Sequence, residues 1–580
     1  MTTAETKRVV VDPVTRIEGH LRIELEVGDG AIKNAWSCTT QYRGIEVVVR
    51  GRDPRDAWAF TQRICGVCTA VHALASILAV EDALSYPVPV QAQLIRSLIS
   101  QMQILQDHVI HFYHLQALDW VDVVSALSAD PSETAKLQSE LSPSWPLSSA
   151  AYFAEVQRKI KESVSGGQYS IFTNGYWGHP AYKLPPAVNL LAVAHYLEAL
   201  DWQRDVIKLH TIFGGKNPHP NFLVGGMACA INLDSDVTIN QVRLDQLQHL
   251  VDRAASFCEQ VYFTDVVAIA SFYPEWFRIG ASNPNVMAVG EAGALLSGTP
   301  SQTGALQPGL LLGGDYHTVV PFEMGKIAEF ITSAWYTYPQ GDEVGLPPWE
   351  GVTIGRYTGP KPPYQWLSND ARYTWTKCPR YDGNPVAVGP NARVMLGYAQ
   401  GLTEIRDLVD DSLRRLRLPA DPSLLNSTAG RMFCRALESV TTARRIRASF
   451  DSFLQRIKAG ETATFNPARW EPSTWPAKCR GVGWMEAPRG TLSHWVVIEN
   501  AAISNYQAVV PSTWNSSGRD AKGQMGPYEY SLAHGGDHPL VEPSKPLEVL
   551  RTVHSFDPCQ SCAVQVLDDA GTEIVQVKVL

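Results

Sequence analysis

The sequence is short of cysteine, with ten in 580 residues. That density excludes a disulfide-stapled secreted scaffold and leaves the thiols to be read as metal ligands or buried apolar groups. Long apolar runs are missing as well. No stretch reaches the roughly 18 apolar residues a membrane span requires; the nearest, AVNLLAVAHYLEAL over 187–200, carries His195 and Glu198 and reads as a helix with one buried face. The opening residues, MTTAETKRVVVDPVTRIEGH, lack the apolar core of a secretory signal. Taken alone the chain is expected to be soluble, with any export or membrane contact supplied by a partner. Basic charge is not in excess: 49 Lys and Arg stand against 58 Asp and Glu, for a net charge of −9. No basic patch stands out, so nucleic acid is not an expected partner. There is no internal repeat, no low-complexity tract and no linker that separates domains, and residues 1–580 are read as one large unit.

What is present begins with a strand. Leu21, Ile23, Leu25 and Val27 alternate with Arg22, Glu24 and Glu26, a period of two. GDG at 28–30 turns the chain into AIKNAWSC, which predicts a hairpin. From Asp56 to Leu84 the pattern is helical, and Pro87 and Pro89 stop it. A long helix is expected over 91–124, with others over 150–165, 186–213, 239–260, 392–417 and 426–458. Residues 288–380, rich in Gly, Pro, Trp and Tyr, predict irregular or short-stranded structure, and strand-like alternation returns at 490–512 and 571–580. The expectation is a mostly α fold with peripheral β hairpins, of the α+β class.

Two cysteine pairs then demand an explanation: RICGVCTAVH at 63–72 and DPCQSCAVQ at 557–565. A helix running through Cys68 sets His72 on the same face, and Gly66 lets the chain turn so that both sulfurs point one way. Four-thiolate zinc sites close loops of about 12–20 residues, whereas about 490 residues separate these pairs. A zinc staple and a chance recurrence of two pairs are the competing readings. A redox centre is favoured, because thiolates are soft donors suited to nickel and iron. Cys38, Cys229, Cys258, Cys378, Cys434 and Cys479 show no ferredoxin spacing, so the chain carries no iron–sulfur wire of its own.

These two motifs resemble the signatures of the large subunit of nickel–iron hydrogenases. The likeness extends through VDPVTRIEGHLRIE (11–24), RGIEVVVRGRDPRDA (43–57), QDHVIHFYHLQALDW (106–120), FGGKNPHPNFLVGG (213–226), EAPRGTLSHW (486–495) and NYQAVVPSTWN (505–515). The membrane-bound respiratory uptake enzymes are the nearest group. The resemblance implies that family's fold, with long central helices and the metal site between the chain ends. It implies Cys65 and Cys559 as terminal nickel ligands, Cys68 and Cys562 as bridges to iron, and two cyanides and one carbon monoxide on the iron. Pro488 and Arg489 would border one cyanide and Ser512 the other, with Asp107 and Asp557 holding the arginine. His72 would donate to a bridging sulfur. Heterolysis of H₂ would send a proton to Cys559 or to Arg489, a choice left open, and Glu18 would relay it. Glu46, the Ala508 carbonyl and Gln565 would bind Mg²⁺, with Gln565 standing where most relatives carry histidine.

The resemblance also implies partners. Electrons would pass to an iron–sulfur small subunit in a heterodimer or higher oligomer, and from it to a membrane cytochrome b. Co-export with the small subunit would put the complex peripherally on the outer, periplasmic face of the membrane. Residues 566–580 match the tail that a maturation protease removes. His219 is expected near the electron exit, while His108, His111 and His114 are read as packing and hydrogen-bonding residues. A hydrogen sensor built on the same site, and a non-catalytic metal-stapled subunit, are the rival readings.

Overall fold

In the computed structural model, which describes residues 6–560 except 167–171, 173–174, 302–303 and 362, the chain opens on three antiparallel strands. These are β1 (Lys7–Val11), β2 (Leu21–Gly28) and β3 (Ala31–Thr39). The alternating set Leu21, Ile23, Leu25 and Val27 is buried. Asp29 and Gly30, with φ of 53° and 74°, make the two-residue connection of the hairpin, where both positions need positive φ. Between β1 and β2 the chain leaves the sheet in a loop that carries Glu18.

Helices follow. α1 (Val71–Leu84) and α2 (Val90–Ile110) flank the gap made by Pro87 and Pro89, and α2 runs on through a π-helical turn and a 3₁₀ turn to Asp119. The pattern from Asp56 predicts one continuous helix, and the structure breaks it. Short helical turns end at Ile64, and Cys65–Ala70 form a loop before α1. The carbonyls of Arg63 and Ile64 accept from the Arg43 guanidinium instead of from a following helical turn. The helix expected at 150–165 is found over Ala150–Ser165. That expected at 392–417 is two, Pro390–Ala399 and Thr403–Arg415, because Gly401 (φ 80°) ends the first in the left-handed conformation. The longest, α3 (Thr428–Lys458), starts where the Ser427 hydroxyl caps Gly430 N–H, and it packs along α2.

The second sheet is a meander of β4 (Lys478–Ala487), β5 (Gly490–Glu499) and β6 (Ala502–Val509), extended by the short strand Leu295–Ser297. α4 (Leu547–Ser555) then leads to the last described residues. The alternation read at 490–512 is β5 and β6. β4 escapes the pattern because glycines occupy positions where strand side chains are expected.

Those glycines position the whole region. Register puts Gly481, Gly483 and Met485 on one face with Leu492, His494 and Val496 of β5 and with Tyr506 and Ala508 of β6. α1 packs on this face. A Cβ at Gly483 would stand 2.2 Å from the Ala75 carbonyl oxygen, and one at Gly481 2.3 Å from that of Ala79. The alanine-rich helix therefore lies directly on strand backbone, and His72 is drawn down to the sheet. Val482, Trp484, Trp495 and Val509 pack a separate core on the opposite face. Among the described residues no helix is long and apolar enough to cross a membrane. Residues 561–580 lie outside the described residues, and with them Cys562, Gln565, the expected tail 566–580 and the expected strand 571–580.

Gly483→Ala must push α1 off the sheet, an overpacking that costs about 1–3 kcal/mol. Gly325→Ala, where an added Cβ meets nothing within 4 Å, is expected to stay within about 0.5 kcal/mol of the parent. Chemical denaturation of the two variants side by side checks the contrast.

Candidate metal centre

Two loops from opposite ends of the chain make the site. Cys65 follows the last helical turn in extended conformation (φ −139°, ψ 138°), and Cys68 N–H donates to its sulfur at 3.2 Å, so the loop folds around the thiol. Outside the loop, Arg43 holds the Ile64 carbonyl at 2.8 Å, Gln62 donates to the Pro220 carbonyl at 2.7 Å, and His219 N–H donates to the Thr69 hydroxyl. The other loop leaves α4 through Asp557, whose φ of 58° turns the chain sharply before Pro558 and Cys559. Positive φ outside glycine is uncommon and clusters where structure serves a site. The segment then pairs with the N-terminal loop: Glu18 N–H donates to the Pro558 carbonyl at 3.3 Å and Gln560 N–H to the Glu18 carbonyl at 2.7 Å, a parallel bridge between Glu18 and Cys559. Cys559 N–H donates to Ser512 Oγ at 3.0 Å.

The result is a buried cluster. Cys65 and Cys559 Sγ lie 3.4 Å apart, and with Cys68 all three sulfurs fall within 4.8 Å of one another. Cys562 lies outside the described residues. The expectation that Cys68 sits within a helix fails, since α1 starts three residues later, yet His72 still lines one cavity with Cys68, Cys559, Pro488, Arg489 and Ser512. Burial holds the His72 ring down at about 4, so it is neutral, and its Nδ1 lies 3.0 Å from His494 Nε2.

Arg489 stands at the β4–β5 turn. Its Nη2 is 3.0 Å from Asp557 Oδ1, its Nη1 is 3.7 Å from Asp107 Oδ2, and its Nε donates to the Asp557 carbonyl at 3.0 Å. The two carboxyls behave oppositely. Burial pushes Asp107 well above the usual carboxylate range, and the nearby Arg489 does not offset it. Burial also pushes Asp557 up, but Arg489, His111 and Arg435 outweigh it and hold it low. Sequence reasoning passed over Arg435. Its Nη1 reaches Asp557 Oδ2 at 3.3 Å and the Pro488 carbonyl at 3.2 Å. The available signal was an arginine on the apolar face of a long helix, a position where charge needs a partner.

These residues fit a soft metal group that bears acceptor atoms. The donors are thiols, and Arg489 Nη1 is a buried donor with no hydrogen-bond acceptor beside them. A second group surrounds Glu46. Its Oε1 accepts from Ala508 N–H at 2.9 Å and its Oε2 from the Thr353 hydroxyl. Lys377 Nζ is 3.9 Å from Glu46 Oε2 and 3.7 Å from Glu329 Oε2, and it donates to Gln507 Oε1 at 2.7 Å. Two largely buried carboxylates face one ammonium, and Glu329 Oε2 has no hydrogen-bond partner. Burial pushes Glu329 up to about 7. An oxygen-rich pocket whose second carboxyl is held up by burial and would ionise beside a cation fits a hard divalent ion. Lys377 and Glu329 carried no sequence signal, being isolated charges in the irregular region. Each histidine of α2 and its extension has a hydrogen-bond partner on a distant element: Glu438 for His108 at 2.8 Å, the His554 carbonyl for His111 at 2.7 Å, the Tyr196 carbonyl for His114 at 3.2 Å.

Comparison with known proteins returns one answer. A family model described as nickel-dependent hydrogenase matches residues 43–565, and one described as HoxL-like matches residues 8–42. The chain is 49% identical to the uptake hydrogenase large subunit of Bradyrhizobium diazoefficiens, over 99% of this chain and 97% of that one. It is 46% identical to the hydrogenase-1 large chain of Escherichia coli K12, with the same coverage. Among solved structures, the Ni-Fe-Se hydrogenase of D. vulgaris Hildenborough in the reduced state superposes with a TM-score of 0.74 at 30% identity, covering 97% of this chain and 100% of that one.

The opposite behaviour of the two carboxyls separates their variants. Asp557→Asn strips the counter-charge from two buried arginines and is expected to cost about 3–5 kcal/mol. Asp107→Asn replaces a carboxyl that burial already pushes toward its neutral form and should cost about 1 kcal/mol or less. The stability Asp557 contributes is present above its unfolded pKa of about 3.9 and drains away as pH falls through its lowered folded value. For Asp107 the sign reverses, and its contribution is lost as pH rises. Denaturation of the metal-free chain across acid to neutral pH reads both.

Proposed function

Because this chain belongs to the nickel-dependent hydrogenase family as a large subunit, we propose that it is the catalytic half of an H₂-uptake enzyme, acting as one unit along its length. It is a nickel–iron hydrogenase, an oxidoreductase that takes electrons from H₂. The observation that carries this reading is the meeting of Cys65 and Cys559, 494 positions apart in sequence and 3.4 Å apart at sulfur.

Cys65 and Cys559 would hold nickel, and Cys68 and Cys562 would be shared with an iron that carries two cyanides and one carbon monoxide. When bound, this centre supplies the Lewis acidity and the electron-accepting capacity that cleave H₂. The protein side does the rest. Pro488, Arg489 and Ser512 form the pocket for the iron's small ligands, and the open Nη1 donor of Arg489 suits a cyanide nitrogen. Asp557 and Asp107 fix the guanidinium over the thiols. Burial lowers the Arg489 pKa, but Asp557 and the neighbouring Cys559 and Cys68 outweigh it and keep it protonated. Arg489 is then an orienting cation, and the Cys559 sulfur receives the proton. Glu18, carried beside Cys559 by the backbone bridge, takes it on toward solvent. His72 supports a bridging sulfur. Glu46, the Ala508 carbonyl and Gln565 hold Mg²⁺, bordered by Lys377, Glu329 and Gln507.

Among the described residues only the Cys65, Cys68 and Cys559 group gathers three ligand side chains. Membership among hydrogenase large subunits supports an iron–sulfur small subunit as the electron exit, in a heterodimer or higher oligomer, with a membrane cytochrome b beyond it. The complex sits peripherally on the periplasmic face, and a maturation protease removes residues 566–580 after metal loading.

Elemental analysis should find nickel in the enzyme and equimolar nickel and iron in the large subunit separated from its iron–sulfur partner, with infrared bands of metal-bound cyanide and carbon monoxide; zinc without nickel would overturn the reading. Glu18→Gln should abolish H₂ oxidation while both metals stay bound. Full activity in that variant would remove Glu18 from the proton route. The mass of the mature chain should correspond to an end at Gln565.

A further inference from the structure

Three side chains form a hydrogen-bonded line from the first turn of α1, next to the cysteine loop, into the second sheet. His72 Nδ1 lies 3.0 Å from His494 Nε2, and His494 Nδ1 lies 2.7 Å from the Tyr506 hydroxyl. The exposures of His72, His494 and Tyr506 are 1%, 0% and 1%, so bulk water does not compete for these contacts. The fold sets up the line. His494 stands opposite Ala508 and Tyr506 opposite Val496, which makes His494 and Tyr506 diagonal neighbours on the face beneath α1. The bare backbone at Gly481 and Gly483 lets α1 bring His72 down to meet them.

The direction of the line follows from its other end, where His72 lines one cavity with Cys68 and Cys559. A metal-bound thiolate offers only lone pairs, so a histidine that supports it must present an N–H. A neutral imidazole has one donor and one acceptor nitrogen. If Nε2 of His72 carries the proton, its Nδ1 must accept, and His494 must donate from Nε2. His494 Nδ1 then accepts in turn, and the Tyr506 hydroxyl supplies the proton. The reverse arrangement would aim a histidine lone pair at the thiolates.

We infer that His494 and Tyr506 are positioning residues that lock His72 in the tautomer whose Nε2–H faces the cysteine thiolates. The inference rests on the nickel–iron reading above. Its consequence is electronic, since a hydrogen bond to a metal-bridging sulfur withdraws charge from it and so tunes the metals behind it. Neither residue touches H₂ or the metals in this account; both act through His72.

The test uses the purified holoenzyme with its small subunit and reads the carbon monoxide and cyanide infrared bands, nickel content and H₂ oxidation. Tyr506→Phe deletes one oxygen and frees His494 to take either tautomer. His494→Phe breaks the line, whereas His494→Gln keeps an amide N–H where Nε2–H stood. With nickel content unchanged, His494→Phe should shift the carbon monoxide band and lower turnover about 10–100-fold. Tyr506→Phe should move the band in the same direction by less, and His494→Gln should hold it near the parent position. Parent bands that do not move in Tyr506→Phe and His494→Phe overturn the inference and leave the nickel–iron reading intact. A parent enzyme without such bands overturns that reading instead.

Discussion

Thiolates crowded into a dry interior repel one another, and much of the structure is an answer to that repulsion. Two unit charges at the 3.4 Å separation of Cys65 and Cys559 oppose each other by about 5 kcal/mol at an effective dielectric of about 20. A hydrogen bond contributes about 1 kcal/mol net, so the backbone N–H of Cys68 cannot hold such a pair ionised by itself. Arg489 is one cation against several sulfurs. Once the sulfurs are ionised, multivalent positive charge among them balances the cluster, and that is the physical reason the site suits a metal better than a ring of polar side chains.

The neutralising charge must in turn be neutralised, and the interior does so by alternation. Arg489 faces Asp557, Asp557 faces Arg435, and His108 joins Arg435 at 3.3 Å to Glu438 at 2.8 Å. Glu438 pairs with Arg393, which reaches Glu486 at 2.8 Å. Each of these groups is buried, and removing any one strands a charge away from water. Arg435 and Arg393 also bind the carbonyls of Pro488 and Ala487, so the same chain of charges fixes the backbone that presents Arg489. Helix α3 supplies Arg435 and Glu438 from successive turns of one face, which ties the longest helix to the metal pocket.

Much of this was legible in the sequence. Period two at Leu21–Val27, the proline stops after Leu84 and the helix over 150–165 are local rules obeyed locally. The paired thiols and the residues around Arg489 were readable as motifs because short-range neighbours carry the pattern. What stayed hidden depends on distant approach. β4 was invisible because Gly481 and Gly483 serve the packing of α1, a requirement no strand propensity records. The loop at Cys65–Ala70 was read as helix because only Arg43, twenty residues earlier in the chain, diverts the carbonyls. Arg435, Lys377 and Glu329 are single charges whose partners lie more than a hundred residues away or in irregular structure. His494 and Tyr506 stood inside quoted motifs, yet their alignment appears only once strand register is known.

The parallel bridge between Glu18 and Cys559 gives the chain a form of self-inspection. Synthesis runs from the amino end, so nearly the whole helical body emerges from the ribosome before the second sulfur loop exists. A polypeptide truncated anywhere short of residue 559 owns only Cys65 and Cys68 of the cluster, with the N-terminal loop lacking the edge it pairs with. Such a fragment lacks the sulfur from the opposite end that the gathered donor set requires. Chemical competence is thereby postponed until the second sulfur loop has been made, and a product aborted before it is left without the means to assemble a reactive centre.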